Sequence, residues 1–132
     1  MFYGADNSNR NGLSTAATAR MLEAVMTGAV VSPPACCRLQ GLLRRSLDQQ
    51  QRHADPENQV DGFLGGGLPE DALLWSKAGL MSQARHDAAW FKTSEQQPPT
   101  LLVVFTMGPD RARDVNLLQE LAGQLNQFSS FE

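Results

Sequence analysis

The sequence predicts an α+β fold: an antiparallel sheet of at least three strands, with a C-terminal helix packed on it and two helices before it. Three observations carry this. Two segments with apolar residues at helical spacing lie within 14–52, three apolar runs bounded by turn-formers lie within 72–106, and an amphipathic segment over 110–128 closes the chain. Residues 1–13 read as loop and 53–71 as an irregular, glycine-rich link. With 132 residues, the chain has the size of one domain.

Each element has its own signals. Asp6-Asn7-Ser8-Asn9-Arg10-Asn11-Gly12 is almost purely turn-forming. Ser14 is then a good N-cap, and Thr18, Met21, Leu22, Val25 and Met26 recur at helical spacing until Gly28 stops the helix. Ser32 caps the second helix, with Pro33 in its first turn; Cys36, Leu39, Leu43 and Leu47 form its apolar stripe, and Arg38, Arg44, Arg45 and Gln49 its polar face. Two short-linked helices could form a helix-turn-helix, but the charge balance and the strands that follow argue against it. Gly65-Gly66-Gly67 has the density of a phosphate-cradling loop without the Gly-Lys-Ser/Thr that would complete one, so it reads as a flexible turn anchored by Val60, Phe63 and Leu64. Leu101 to Phe105 is apolar at every position and should be buried on both faces. Asp110 should cap the last helix, whose stripe is Val115, Leu118, Leu121, Ala122, Leu125 and Phe128.

One stretch carries chemistry. In Leu73-Leu74-Trp75-Ser76-Lys77-Ala78-Gly79-Leu80 an apolar strand is interrupted by a hydroxyl, a charge and two tiny residues. Glycine inside a strand is tolerated mainly at a bulge or where a ligand comes close. A lysine walled by Trp75 and Leu80 would hold its charge where water is scarce. If the chain reverses tightly after Leu80, Arg85 returns beside Lys77, and two cations over a glycine-opened edge make an anion site. Arg85 and Asp87, two apart, share a face and could instead form a surface ion pair of little worth. His86 points the other way and reads as a packed, hydrogen-bonded histidine; Trp75 and Trp90 read as core.

Trp75-Ser76-Lys77-Ala78-Gly79 followed by Arg85-His86-Asp87-Ala88-Ala89 resembles the Lys-Thr/Ser-Gly strand and the next strand of the penicillin-recognising serine hydrolases, the class A β-lactamase-related family. The order of elements matches the C-terminal part of that family, so the resemblance implies a single incomplete domain, about half of a full member. It implies that Ser76, Lys77, Ala78, Gly79 and Arg85 line the substrate, a small carboxylated β-lactam or peptide-like molecule. Lys77 would steer its carboxylate and ease proton movement, Arg85 would clamp that carboxylate, and Leu80 would offer its backbone N–H to an oxyanion. Ala78 departs from the family's Thr or Ser and loses one hydrogen bond to the carboxylate. The family's Ser-x-x-Lys nucleophile motif is absent from these residues, as are Ser-Asp-Asn and any Glu among the first 22. The resemblance therefore implies a hydrolase fragment without its nucleophile, inactive alone; the alternatives are a non-catalytic remnant that binds a carboxylated ligand or a partner protein, and a small interaction module unrelated to the family. The expected partners are the missing N-terminal half or a second copy of the chain.

Composition excludes other classes. A net charge of −3 with no Lys/Arg run argues against nucleic acid, and no apolar run approaches a membrane span. Cys36 and Cys37 are adjacent on a helix, where neighbouring side chains diverge, so they read as reduced thiols; with His53 and His86 at no ligand-like spacing, no metal and no cofactor is expected. The first residues, Met1 to Asn7, are neither basic nor long enough for a signal segment, so the chain as written reads as cytoplasmic; a leader lost with an N-terminal part would make it periplasmic or secreted.

Overall fold

The computed structural model describes residues 12–129, with side chains through residue 127; most of the expected 1–13 loop and the side chain of Phe128 lie outside them. The elements run α1 (Thr15–Met26), α2 (Pro33–Leu43), β1 (Arg44–Arg45), α3 (Gln49–Ala54), a 3-10 turn (Leu64–Gly67), β2 (Leu73–Met81), β3 (Ala84–Lys92), β4 (Thr100–Val104), α4 (Pro109–Arg113) and α5 (Leu117–Ser129). The strands form one antiparallel sheet in the order β1-β2-β3-β4. The fold is α+β, as the sequence predicts. Strand alternation puts Leu74, Ala78, Ala89 and Phe91 on one face, where Leu118 and Ala122 of α5 and Leu64 of the 3-10 turn complete the main core. The N-terminal helices α1 and α2 pack against the sheet outside that core.

The N-terminal caps follow the sequence. Ser14 Oγ accepts from the Ala17 N–H at 3.1 Å, Ser32 Oγ from the Ala35 N–H at 3.4 Å, and Gly28 takes a positive φ of 77° just past α1. Cys36 is buried and donates to the Val30 carbonyl, while Cys37 is exposed.

Four expectations are corrected. The second helix stops at Leu43, because the unpaired edge of β2 captures the next two residues: Arg44 and Arg45 pair with Trp75 and Leu74. Their guanidinium groups extend the capture, Arg44 to the Leu74 carbonyl at 2.9 Å and Arg45 to the Ser76 carbonyl at 3.0 Å. The last helix is broken in two, and its main part is capped by Asp114 rather than Asp110. Asp114 Oδ1 accepts from the N–H groups of Asn116 and Leu117, whereas α4 has no side-chain cap. Leu101 to Val104 is only partly buried and Phe105 is exposed, since β4 is an edge of the sheet among the described residues.

The fourth correction concerns Gly65 to Gly67, which form a packed 3-10 turn against α5 rather than a flexible one. A Cβ on Gly67 would stand 2.0 Å from the Gln119 carbonyl oxygen and 2.8 Å from the Gly123 nitrogen, so helix backbone itself occupies the space of a side chain. Gly67→Ala is therefore expected to lower stability by about 1–3 kcal/mol, the usual cost of overpacking. Gly41→Ala, inside α2 with nothing within 4 Å, is the control and should be neutral or slightly stabilising. Urea unfolding of the two variants checks this, and equal midpoints would refute the packing role of Gly67.

Candidate functional site

β2 and β3 form a hairpin closed by Ser82 and Gln83, with Lys77 opposite Ala88, Gly79 opposite His86 and Leu80 opposite Arg85. Residues directly opposite share a face, so Lys77 and Gly79 project to one side of the sheet and Ala78, Leu80, Arg85 and Asp87 to the other. This corrects the expected meeting of Lys77 and Arg85: they sit on neighbouring strands but point to opposite faces. Nor is Lys77 held where water is scarce. It is exposed, and its Nζ donates to the Ala78 carbonyl.

Arg85 is the buried cation. Only 6% exposed, it donates from Nε to the Ala112 carbonyl at 3.0 Å and from Nη1 to the Gly62 carbonyl at 3.1 Å, and it lies 5.0 Å over the Phe63 ring. No carboxylate among the described residues pairs with it. Asp87, on the same strand face, is also buried and makes no ion pair with it, which replaces the expected surface pair. His86 matches its expectation as a hydrogen-bonded, packed residue: its Nδ1 accepts from the Thr106 N–H at 3.0 Å, and its ring lies 4.5 Å from that of Phe105. Trp75 and Trp90 are half-buried rather than core.

Beside Arg85 the edge of β2 is open. β1 covers only Leu74 and Trp75, and beyond them the outward backbone groups are met by side chains. The Ser76 carbonyl accepts from Arg45, and the Ala78 N–H donates to Gln59 Oε1 at 3.3 Å. Leu80 follows with the same parity. Its partner Arg85 turns both backbone groups toward Thr106 Oγ1, at 3.0 and 2.8 Å on the β4 side, so the Leu80 N–H and carbonyl face away from β3 to the open edge. A cleft of about 440 Å³ lies there, lined by Ala78, Leu80, Arg85, Gln59, Phe63 and Val115, among others. It combines a buried guanidinium, the unpaired backbone of Leu80 and apolar walls, with the side chains of Glu57 and Asp61 also on its lining; the guanidinium and the Leu80 N–H are the donors it offers to an anionic ligand. Gly79 sits on this strand with open space: a Cβ there would meet only the His86 Cβ, at 3.8 Å, so packing within the chain does not demand a glycine.

Sequence reasoning missed Gln59, Gly62 and the burial of Asp87. Gln59 has no local signal in a polar loop; the Asp87 signal was its place two residues after an arginine on a covered strand. Asp87 Oδ2 accepts from the Leu64 N–H at 3.0 Å, and Oδ1 is buried without a partner among the described residues, like Ser76 Oγ on the neighbouring strand. Burial pushes the Asp87 carboxyl up to about 6, against the opposing pull of the Leu64 N–H. No group of metal-ligating side chains occurs among the described residues, and no helix there is long and apolar enough to cross a membrane.

A family model described as the beta-lactamase enzyme family matches residues 1–129. Solved structures share the fold. PBP-A superposes with a TM-score of 0.73 at 17% identity, covering 95% of this chain and 43% of that one. A β-lactamase from Xanthomonas campestris pv. campestris gives 0.69 at 23%, covering 94% and 43%. One from Streptosporangium roseum gives 0.69 at 22%, covering 92% and 43%. A search of curated proteins finds no match. The chain thus spans less than half the length of these structures.

The raised Asp87 carboxyl predicts a pH dependence. The folded state holds a proton that the unfolded chain releases near its usual value of 3.8, so stability should fall as pH rises from about 4 to about 6. At about 1.4 kcal/mol per unit, the effect is on the order of 2–3 kcal/mol. Asp87→Asn, which keeps an acceptor for Leu64, should flatten that slope and be the more stable protein at pH 7. Denaturation midpoints measured from pH 4 to 7 decide it; parallel curves for the two proteins would remove Asp87 as the cause.

Proposed function

This chain belongs to the beta-lactamase enzyme family, and on that footing we propose that it is the substrate-binding part of a β-lactamase-like serine hydrolase whose acylated serine is supplied from outside these 132 residues. The observation that carries the proposal is Arg85: a buried guanidinium with no carboxylate partner among the described residues, opening on a cleft beside the unpaired backbone of Leu80. A charge in that position is stabilised by an anion, and the carboxylate of a β-lactam or of a peptide C-terminus fits it. The Leu80 N–H, facing the same edge, is the donor for the oxyanion. Lys77, exposed on the other face beside Gly79, serves the proton transfers of a serine brought from outside the chain. Ser76 contributes by position, its carbonyl held by Arg45 at the strand edge and its hydroxyl buried. Ala78 lines the cleft with no polar side-chain atom.

A variant of PBP-A has been solved as an acyl-enzyme with penicillin G, and that carboxylated ligand is the natural probe. Absence of Ser-x-x-Lys from this chain favours a second reading, a domain that binds a carboxylated ligand without turning it over. The two separate on one assay. A fluorescent penicillin should leave the chain alone unlabelled and label a mixture of the chain with a fragment bearing Ser-x-x-Lys; the second reading holds if the mixture stays unlabelled while the chain binds penicillin G reversibly. Covalent labelling of the isolated chain would overturn both. Reversible binding of penicillin G should exceed that of its methyl ester by roughly 10- to 100-fold, the worth of a charged hydrogen-bonded contact of about 1.5–3 kcal/mol.

The same proposal gives the exposed edge of β4 a partner, a strand from the remainder of a longer protein. Left uncovered, the edge is expected to pair with a second copy. Light scattering of the isolated chain should report a mass above the monomer, and a monomer at high concentration would count against this pairing.

A further inference from the structure

Gln59 stands where the open edge of β2 meets the cleft. Its Oε1 is claimed by two donors, Arg45 Nη2 at 3.2 Å and the Ala78 N–H at 3.3 Å. Two donors fix which end of the carboxamide is oxygen, and they orient the plane of the amide as well. Arg45 is itself anchored, since the same Nη2 reaches the Ser76 carbonyl and its Nη1 the Leu42 carbonyl. Gln59 is therefore a braced side chain, and its Nε2, with two N–H donors, makes no hydrogen bond among the described residues.

The other polar side chains of the cleft are spent or negative. Asn58 donates from Nδ2 to the carbonyls of Arg52 and Asp55 and to Asp61, and its Oδ1 accepts from the N–H groups of Val60 and Asp61. Asp61 is paired with Arg52, which holds its carboxyl below the usual range, and Glu57 is exposed. Apart from Arg85, the one uncommitted side-chain donor lining the cleft among the described residues is Gln59. We infer that Gln59 is a ligand-binding residue of this site, its Nε2 donating to the carboxylate of the ligand that Arg85 holds, while its Oε1 keeps the strand edge in place. The inference rests on the carboxylate reading of the cleft and adds to it a second, neutral donor that supplies what Ala78 cannot.

The two roles separate in Gln59→Glu. A glutamate keeps an oxygen for Arg45 and Ala78, so the brace remains, but it replaces the free donor by a negative acceptor facing the carboxylate. With the 132-residue chain and penicillin G as probe, the variant should bind at least tenfold more weakly than the wild type with an unchanged unfolding midpoint. A measurement on the wild type alone guards against a variant that fails to fold. In a titration followed by 15N-1H spectra, the Gln59 side-chain NH2 signals should shift with penicillin G and stay in place with its methyl ester. If the wild type binds penicillin G while these signals do not move, or if Gln59→Glu binds equally well, Gln59 is not a ligand residue and the Arg85 site stands. If the wild type binds penicillin G no better than the ester, the carboxylate site itself fails and takes Gln59 with it.

Discussion

A guanidinium cannot be left in a protein interior without hydrogen-bond acceptors, and the surroundings of Arg85 are arranged to provide them. The Gly62 carbonyl comes from the link before β2 and the Ala112 carbonyl from α4, so one side chain fastens two distant segments to β3. Gly62 has a φ of 78°, and a Cβ there would lie 2.9 Å from Arg85 Nη1; conformation and close approach both call for glycine at that position. Thr106 completes the arrangement from the other side, its hydroxyl bridging the N–H and carbonyl of Arg85 just beyond the last residue of β4. These contacts use two of the five guanidinium N–H groups and leave the charge without an anion among the described residues.

That residual charge matters because of what lies next to it. The sheet has one edge that is half covered, with two arginines of β1 and the amide of Gln59 occupying the outward groups of Leu74, Ser76 and Ala78 in turn. The sequence of covers ends at Leu80, whose backbone faces the cleft. Strand parity, set by the hairpin register, puts Leu80 and Arg85 on that side together and sends Lys77 to the other. The lysine and the arginine therefore address two different surfaces of one strand pair, and chemistry that needs both must approach over the edge between them.

The opposite end of the same core is governed by backbone contact. Gly67 and Gly123 bring the 3-10 turn and α5 so close that a Cβ on Gly67 has no room. Leu64, Leu74 and Leu118 fill the space that this approach leaves, and Asp87 is sealed beneath the turn with one oxygen bonded to the Leu64 N–H. A carboxyl in that setting favours its neutral form, so the tight packing and the raised Asp87 are two consequences of one geometry.

The amino-acid pattern alone determined the class of fold, the N-terminal caps at Ser14 and Ser32, the run of three strands within 72–106 and the family to which the chain belongs. These are local or near-local properties, in which propensity, periodicity and short spacing decide. Only the tertiary structure decided where α2 ends, since an open strand edge some thirty residues away captured Arg44 and Arg45. It alone revealed that Gly65 to Gly67 are packed, that Gln59 braces the site, and that Lys77 and Arg85 part company across the sheet. Such facts depend on register and on which backbone approaches which, and a shift of one residue in pairing reverses every side chain's face.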